Sequence, residues 1–241
     1  MQAALLTVGD ELLDGDTENA NATWLSRRLT ERGVSVERVL TVPDDRETVA
    51  AATRRYSDTF DVVVVTGGLG GTPDDVTVEA VAAAFDRRMI ENEVARADLE
   101  RTLEALAGDS PSPDLDVDVA AQARLPAGSR PLVNHAGLSP GCVVENVYVL
   151  PGIPAEMQRM FEEVALEFDG DRRSRTVHTA EPEANLVERL DEIQRRFDVS
   201  VGCYPDREAG HNRLKLTADD ETALADAAAW LTENVALVDP E

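Results

Sequence analysis

Hydrophobic and polar positions along the first third of the chain predict strands and helices in regular alternation. Three segments are typical of buried or central strands, at Ala3–Val8, Val34–Val42 and Asp61–Thr66. Apolar residues at helical spacing predict one helix through Ala22, Leu25 and Leu29, ended by Gly33, and a second over Arg46–Asp58. This β-α-β-α-β order predicts an α/β fold with a doubly wound, mostly parallel sheet and right-handed crossovers.

The pattern continues with further helices and strands. Helices are predicted over Val76–Phe85 and Glu91–Ala107, and a polar loop with two prolines over Gly108–Asp118. Leu132–Asn134 and Cys142–Leu150 are predicted strands around a glycine- and proline-rich turn, and Pro154 suits the first turn of a helix that reaches about Phe168. Residues 1–168 therefore form one predicted domain.

A wholly polar stretch at Asp169–Arg173 predicts a domain boundary. Residues 174–241 then form a predicted small α+β domain. Its elements are strand Arg175–Thr179, helix Ala184–Arg196, strands Val199–Cys203 and Asn212–Leu216, and helix Glu221–Ala236.

The most informative segment for function is the loop between the third strand and the next helix, TGGLGGTPDDVT at Thr66–Thr77. Its glycines let the backbone approach a ligand, and its amides near a helix N-terminus predict a phosphate site. A tight turn alone needs fewer glycines. A Walker loop needs a Lys and a Rossmann fingerprint needs a Gly where Pro73 stands, so both are excluded. The predicted ligand-binding residues are Thr66, Gly67, Gly68, Gly70, Thr72 and Thr77.

Acidic residues follow this loop directly and also end the first strand. Asp74 and Asp75 beside a phosphate predict a divalent cation such as Mg²⁺ between carboxylate and phosphate. Capping of the next helix remains the alternative for both, with function favoured for Asp75. Asp10 ends the first strand, so it is expected to approach the glycine loop. Nearby, Glu11 and Asp14 are either site residues or solvated charges, and Asn19 and Asn21 are either site or capping residues.

A third candidate segment is LPGIPAE at Leu150–Glu156, where a strand passes into a helix. The free amides at that helix start predict a second anion site, which includes Pro151 and Gly152. Asn134 and the turn that follows it are expected to shape the far wall of the cleft, or else to be structural.

Composition narrows the functional classes. Acidic residues outnumber basic ones 47 to 23, the net charge is −24, and Lys215 is the only Lys. Such a surface suits concentrated salt, where charge is screened, and argues against nucleic acid as a partner, so we expect a halophilic source. The chain lacks a signal-peptide pattern and an apolar run of roughly 18 residues, which predicts a cytoplasmic protein without membrane contact. Cys142 and Cys203 are expected to be inert core thiols.

These motifs resemble a known family. In order and spacing, six segments resemble the CinA N-terminal domain, which is similar to MogA, MoaB and part of MoeA. They are Gly9–Leu13, Asn19–Ala22, TGGLGGTPDDVT, Leu125-Pro126, Asn134 and LPGIPAEM at Leu150–Met157. The resemblance covers residues 2–168, and the small domain resembles the KH-type appendage of CinA proteins. The usual family loop is TGGLGPT, so Gly71 stands here in place of Pro.

The resemblance implies a molybdopterin-binding fold, commonly oligomeric, and metal-dependent hydrolysis of ADP-ribose. It places Asp75 at the key carboxylate after the glycine loop and Asp44 at the carboxylate after the second strand. The catalytic candidates are thus Asp75, Asp44 and Asp10, with Asp74 and Asp75 as metal ligands for Mg, Mn or Co. A molybdopterin-binding or adenylylating protein of molybdenum cofactor synthesis is the alternative, and a non-catalytic interaction protein is a third class. Because the chain stops at Glu241, the nicotinamide-nucleotide amidase activity of full CinA proteins is expected to be absent.

Overall fold

The computed structural model describes residues 1–108, 117–207 and 209–239. The chain divides into two compact units, residues 1–169 and residues 170–241. The loop predicted at Gly108–Asp118 lies outside the described residues except at its ends. In the described parts of the chain, no helix is both long and apolar enough to span a bilayer.

The first unit alternates strands and helices through most of its length. Its strands are β1 (Gln2–Val8), β2 (Ser35–Val42), β3 (Val62–Thr66), β4 (Met89–Glu91), β5 (Arg124–Pro126), β6 (Arg130–Leu132), β7 (Gly141–Val144) and β8 (Val147–Leu150). Its helices are α1 (Asp10–Leu13), α2 (Ala20–Glu31), α3 (Arg46–Ser57), α4 (Thr77–Ala84), α5 (Glu93–Gly108), α6 (Val119–Gln122) and α7 (Pro154–Val164).

The central sheet has the order β2-β1-β3-β8-β7-β6. Its first four strands are parallel, and β7 and β6 each run antiparallel to the neighbour before them. One face packs against α3, α4 and α5 and the other against α2 and α7, so each face has its own apolar core. The predicted α/β class with a mostly parallel sheet is confirmed.

The local sequence explains where the first elements begin and end. The side chain of Asn19 accepts a hydrogen bond from the Ala22 amide and caps the N-terminus of α2. Gly33, which has a positive φ of 76°, follows the C-terminal end of this helix. Every residue of β3 is buried, which matches its unbroken apolar run and its position between two strands.

The segment after residue 88 differs from the sequence prediction. Cys142–Leu150 is not one strand but a hairpin, in which β7 and β8 pair antiparallel around Glu145 and Asn146. The Asn146 side chain fixes this turn by donating to the carbonyls of Ser57 and Phe60, at 3.1 and 2.8 Å. Such long-range bonds leave no trace in local periodicity. The predicted strand at Leu132–Asn134 shifts to β6, and the small β4–β5 pair was not predicted.

The second unit is a three-stranded antiparallel sheet covered by helices. Its elements are β9 (Arg173–Thr179), α8 (Val187–Arg196), β10 (Ser200–Asp206), β11 (His211–Ala218) and α9 (Glu221–Asn234), with strand order β10-β11-β9. Alternate residues of β11 are buried, so Leu214 and Leu216 face a core that also contains Ile193, Leu224 and Leu231.

An acidic side chain links three segments of the second unit. Glu181 accepts hydrogen bonds from Arg189 and from the Ala236 amide, the latter at 2.7 Å, and Arg189 also donates to the Asn234 carbonyl. The hydrogen bond from Arg189 lowers the pKa of Glu181, and the Ala236 amide lowers it further.

We expect Glu181→Ala to lower the free energy of unfolding by on the order of 2 kcal/mol at neutral pH, since it removes charge-assisted hydrogen bonds. Because the folded-state pKa of Glu181 is depressed, its stabilisation is present above the unfolded pKa and is lost as pH falls through the folded value. Denaturant titrations of both proteins should therefore converge in acid. A gap that stays constant from neutral pH into acid would contradict this account.

Candidate functional site

The main cleft of the first unit lies where the sheet order reverses. β1 lies between β2 and β3, and α3 carries the chain from β2 across to β3 on the other side of β1. Ligands of such sheets bind at the carboxyl ends of the strands next to this point. A cavity of about 230 Å³ opens there. Among its lining residues are Gly9, Glu11, Asn19, Asn21, Asp44, Thr66, Gly67, Gly68, Asp74, Asp75, Gly152 and Pro154.

Two glycines let three strand ends approach each other at the floor of this cleft. Gly67 has a φ of 99°, and a Cβ there would collide with the carbonyl oxygen of Val8 at the end of β1. A Cβ on Gly152, after β8, would come within 3.2 Å of the Gly67 Cα. Side chains at these positions would force the strand ends apart, so both glycines are required by packing.

The next two glycines of the loop make room for Thr77, which is fully buried and does not border the described cavities, and for Asp75, which lines the cleft. Gly68 has a φ of 64°, and a Cβ on it would lie 2.5 Å from the Thr77 hydroxyl oxygen. A Cβ on Gly70 would lie 2.5 Å from an Asp75 carboxylate oxygen. Gly71 differs, because the nearest neighbour of an added Cβ is Gln122 at 3.5 Å, an ordinary contact. The backbone conformation thus requires glycine at positions 67 and 68, a side chain at Gly70 would displace the Asp75 carboxylate, and Gly71 is under neither constraint.

Asp75 closes the loop on itself instead of capping a helix. Its carboxylate accepts the Thr72 amide at 2.9 Å and also the Thr72 hydroxyl. The N-cap of α4 is Val76, without a side-chain cap. The Thr72 hydroxyl, whose one proton is shared between Asp74 and Asp75, lowers the pKa of Asp74, and the backbone amide of Asp74 lowers it further. Both aspartates are therefore held on the cleft wall.

Asp10 and Asp44 are joined across the mouth of the cleft. The Asp10 amide donates to the Asp44 carboxylate at 2.9 Å, and the Asp44 amide donates to the Asp10 carboxylate at 3.4 Å. Burial raises the pKa of Asp44, and the negative charges of Asp10, Glu11 and Asp74 raise it further, while the Asp10 amide opposes the shift. The loops after β1, β2 and β3 thus bring the carboxylates of Asp10, Glu11 and Asp74 close enough to affect Asp44.

The carboxylates of this cleft suit a hard divalent cation whose remaining coordination positions are filled by the bound ligand and water. In residues 1–108, 117–207 and 209–239, no three His, Cys, Asp or Glu side chains form a ready-made metal site. Mg²⁺, however, is commonly held by one or two carboxylates together with phosphate and water. Burial and, after it, the neighbouring negative charges disfavour the ionised form of Asp44, and a bound cation would offset both, so Asp44 and Asp74 suit this mode of metal binding.

The two asparagines of the second segment position the surrounding loops. Asn19 caps α2 and donates to the hydroxyls of Thr7 and Thr41, at 2.9 and 3.3 Å, which ties the ends of β1 and β2 together. Asn21 donates to the Gly152 carbonyl at 2.7 Å. The capping alternative for Asn19 is thus what the structure contains, while Asn21 links α2 to the loop after β8.

A second cavity, of about 410 Å³, lies beside the first. The two share Glu11, Gly68, Asp75, Gly152 and Pro154, and the second is also bounded by Pro151, Ile153, Ser139 and Glu156. Helix α7 begins here with Pro154 as its first residue. The amides of its first turn and the glycine loop therefore border the same continuous cleft.

Asn134 takes the structural role that the sequence analysis gives as its alternative. It is buried, and its side-chain amide donates to Glu156 at 2.6 Å and to the Ser139 carbonyl at 3.0 Å, while its backbone amide donates to buried Asp98 at 2.7 Å. It supports the second cavity from behind and does not line it. His135, which has no evident partner in the sequence, lies 3.6 Å from Asp98.

The thiols fit the expectation of inert core residues. Cys142 is fully buried, and burial raises its pKa to about 12. Burial also raises the pKa of Cys203, and Glu183 adds to the shift. At neutral pH neither thiol is a ready nucleophile.

Known proteins match the chain over both units. Residues 4–169 match the family model described as "probable molybdopterin binding domain". A protein of Archaeoglobus fulgidus is 34% identical over 97% of this chain and 97% of its own length, and a CinA-like protein of Gemmatimonas aurantiaca is 36% identical over 98% of this chain and 58% of its own. The crystal structure of CinA from Thermoplasma acidophilum, of unknown function, is 33% identical with a TM-score of 0.62 over 69% of this chain and 97% of that one.

The second unit has a separate match. Residues 172–238 match the model of the FAD synthase middle domain. The KH-type appendage expected from the resemblance is not what this model describes, and it stays a prediction.

Proposed function

This chain belongs to the molybdopterin-binding domain family with CinA-like relatives, and on that premise we propose that its cleft binds a nucleotide diphosphate and hydrolyses the pyrophosphate bond of ADP-ribose with a divalent cation. The observation that carries the proposal is the meeting of a glycine loop, a helix start and four carboxylates at one sheet edge. Amides suit phosphate, and carboxylates suit the cation that bridges them to phosphate.

Different groups of the cleft have different proposed roles: binding phosphate, binding the cation and positioning the loops. Backbone amides at Gly68 and Gly70, together with the first turn of α7, hold the two phosphates. The Gly67 amide donates to the Leu150 carbonyl at 3.3 Å, so Gly67 contributes the close approach of the strand ends and not a donor. Asp44 and Asp74 would hold the cation, while Asp75, the other metal ligand expected from the sequence, is bonded to Thr72. When bound, the cation would offset phosphate charge and lower the pKa of a water. Asp75 fixes the loop through Thr72 and lines both cavities. Asp10 orients Asp44 through its amide.

The proposed reaction consumes one water. The water oxygen bonds to one phosphorus of ADP-ribose, the bond from that phosphorus to the bridging oxygen breaks, and the bridging oxygen leaves on the other phosphate. The proton lost by the water is accepted by a carboxylate of the cleft and then released to solvent. The products are AMP and ribose 5-phosphate.

Chromatographic measurement of AMP release tests the hydrolase directly. The protein, in near-saturating KCl with Mg²⁺, Mn²⁺ or Co²⁺, is expected to convert ADP-ribose to AMP and ribose 5-phosphate, and EDTA is expected to stop it. Equal AMP release with and without the protein under all three metals would remove the hydrolase from consideration.

The family model favours one second candidate, the binding or adenylylation of a molybdopterin phosphate. Such a ligand also offers a flat ring and a phosphate to the same cleft. Incubation with ATP and molybdopterin discriminates the two activities, because adenylylation releases pyrophosphate and depends on the pterin, whereas ADP-ribose hydrolysis does not.

A further inference from the structure

Glu156 is a buried carboxylate in the wall of the second cavity. Only 9% of the residue is exposed, yet it borders the cavity beside the glycine loop. Burial of a charged group is costly unless it is hydrogen-bonded or paired. The Glu156 carboxylate in this cavity wall therefore needs hydrogen-bond donors.

The carboxylate is held in place from two sides. Asn134 donates to its Oε2 at 2.6 Å, and Asn134 is itself anchored by the Asp98 carboxylate and the Ser139 carbonyl. On the other side a Cβ on Gly137 would collide with the carboxyl group of Glu156, so the turn has a glycine where the carboxylate sits. Together these contacts preorganise Glu156.

The chemistry of a carboxylate limits what it can meet. An ionised carboxylate has about four acceptor positions and no donor, and the bond from Asn134 uses one of them. The remaining positions suit two donors that lie side by side. The glycine loop, by contrast, offers amide donors to phosphate. The two parts of the cleft are thus complementary to the two ends of a phosphorylated ligand.

We propose that Glu156 accepts hydrogen bonds from a pair of neighbouring donors on the ligand bound at the glycine loop. The vicinal diol of a ribose is one such pair, and the adjacent ring N–H and NH₂ groups of pterin or guanine are another. This rests on the proposed function only in that a phosphate occupies the loop. Glu156 is a specificity residue, because it selects the group that accompanies the phosphate.

A purely structural role makes a different prediction. Glu156 lies in the first turn of α7, where a negative charge stabilises the helix dipole. If that were its whole role, Glu156→Gln would lower stability and leave ligand preference unchanged.

Calorimetry with small probes tests the proposal. The probes are ribose 5-phosphate against 2-deoxyribose 5-phosphate, and GMP against AMP, titrated into the full chain, E156Q and E162Q. Glu162 is a suitable control because it lies on the same helix with an exposed side chain paired to Arg28. We expect the unsubstituted protein and E162Q to prefer the donor-pair member of one probe set by about tenfold, and E156Q to reduce that preference to about twofold or less.

The probe set that shows the preference identifies the donor pair as diol or ring edge. Lack of any preference in the unsubstituted protein, or an unchanged preference in E156Q, would overturn the role of Glu156. If the protein turns over ADP-ribose but shows no probe preference, the role of Glu156 is wrong and the proposed hydrolase stands. If the probe preference depends on Glu156 but ADP-ribose is not turned over, the role of Glu156 is supported and the proposed hydrolase is wrong.

Discussion

Gly67→Ala is expected to lower the free energy of unfolding by about 3–5 kcal/mol and to abolish ligand binding. The substitution combines a positive φ of 99°, which L-residues rarely adopt, with a collision between the new methyl group and the Val8 carbonyl. Relief of that collision moves the end of β3 away from β1, and the phosphate-binding amides move with it. Denaturant titration and ADP-ribose calorimetry measure the two effects.

Gly71→Ala is the matched control, since it makes the same change four residues further along the loop. The nearest atom to its new Cβ is 3.5 Å away, and Gly71 is not among the residues of positive φ. We expect stability within about 0.5 kcal/mol of the unsubstituted protein and unchanged binding. If Gly67→Ala behaved like Gly71→Ala, the close approach of β1 and β3 would be wrong.

Asp44→Asn is expected to reduce ADP-ribose turnover on the order of a hundredfold or more while leaving the protein folded. The amide oxygen can still accept the Asp10 amide, but the charge that suits a cation is gone. Asp45→Asn is the control, because Asp45 caps α3 through Thr48 and Asn caps equally well. AMP release with saturating Mg²⁺ separates the two variants, and equal loss in both would contradict a specific role for Asp44.

Asp44→Asn also has a predicted effect on stability. The folded-state pKa of Asp44 is raised, so its contribution to stability is greatest below the unfolded pKa and is lost as pH rises through the folded value. At neutral pH the ionised carboxylate therefore disfavours the folded state, and Asp44→Asn is expected to raise the Tm of the ligand-free protein. The gain should vanish in acid, and a lower Tm at neutral pH would speak against this electrostatic account.

The sequence predicts the parallel half of the sheet well because local signals agree there. The apolar run of β3 and the cap and stop of α2 place these elements within about one residue of their observed bounds. The antiparallel half is predicted less well. The hairpin at Glu145 and Asn146 depends on hydrogen bonds to α3, which lies more than eighty positions earlier, and periodicity reports only near neighbours.

In the candidate site, too, features that depend on local sequence are predicted and features that depend on long-range contacts are not. The glycine loop can be found from the sequence, because four glycines between a buried strand and a helix exceed what a turn needs. The pairing of Asp10 with Asp44 depends on strand order, and the placement of Asn134 behind Glu156 depends on a buried network that also contains Asp98. Glu156 stands within a recognisable segment, but only its burial and its partner distinguish it from an ordinary helix-start carboxylate.

The central claim is that the loops after β1, β2, β3 and β8 form one site for a nucleotide diphosphate. Amide hydrogen exchange, measured in concentrated KCl with and without ADP-ribose and Mg²⁺, tests it most directly. We predict slower exchange at Gly67–Asp75, around Asp10 and Asp44, and in the first turn of α7, with the second unit unchanged. Protection confined to other parts of the chain, or none at saturating ligand, would contradict the claim.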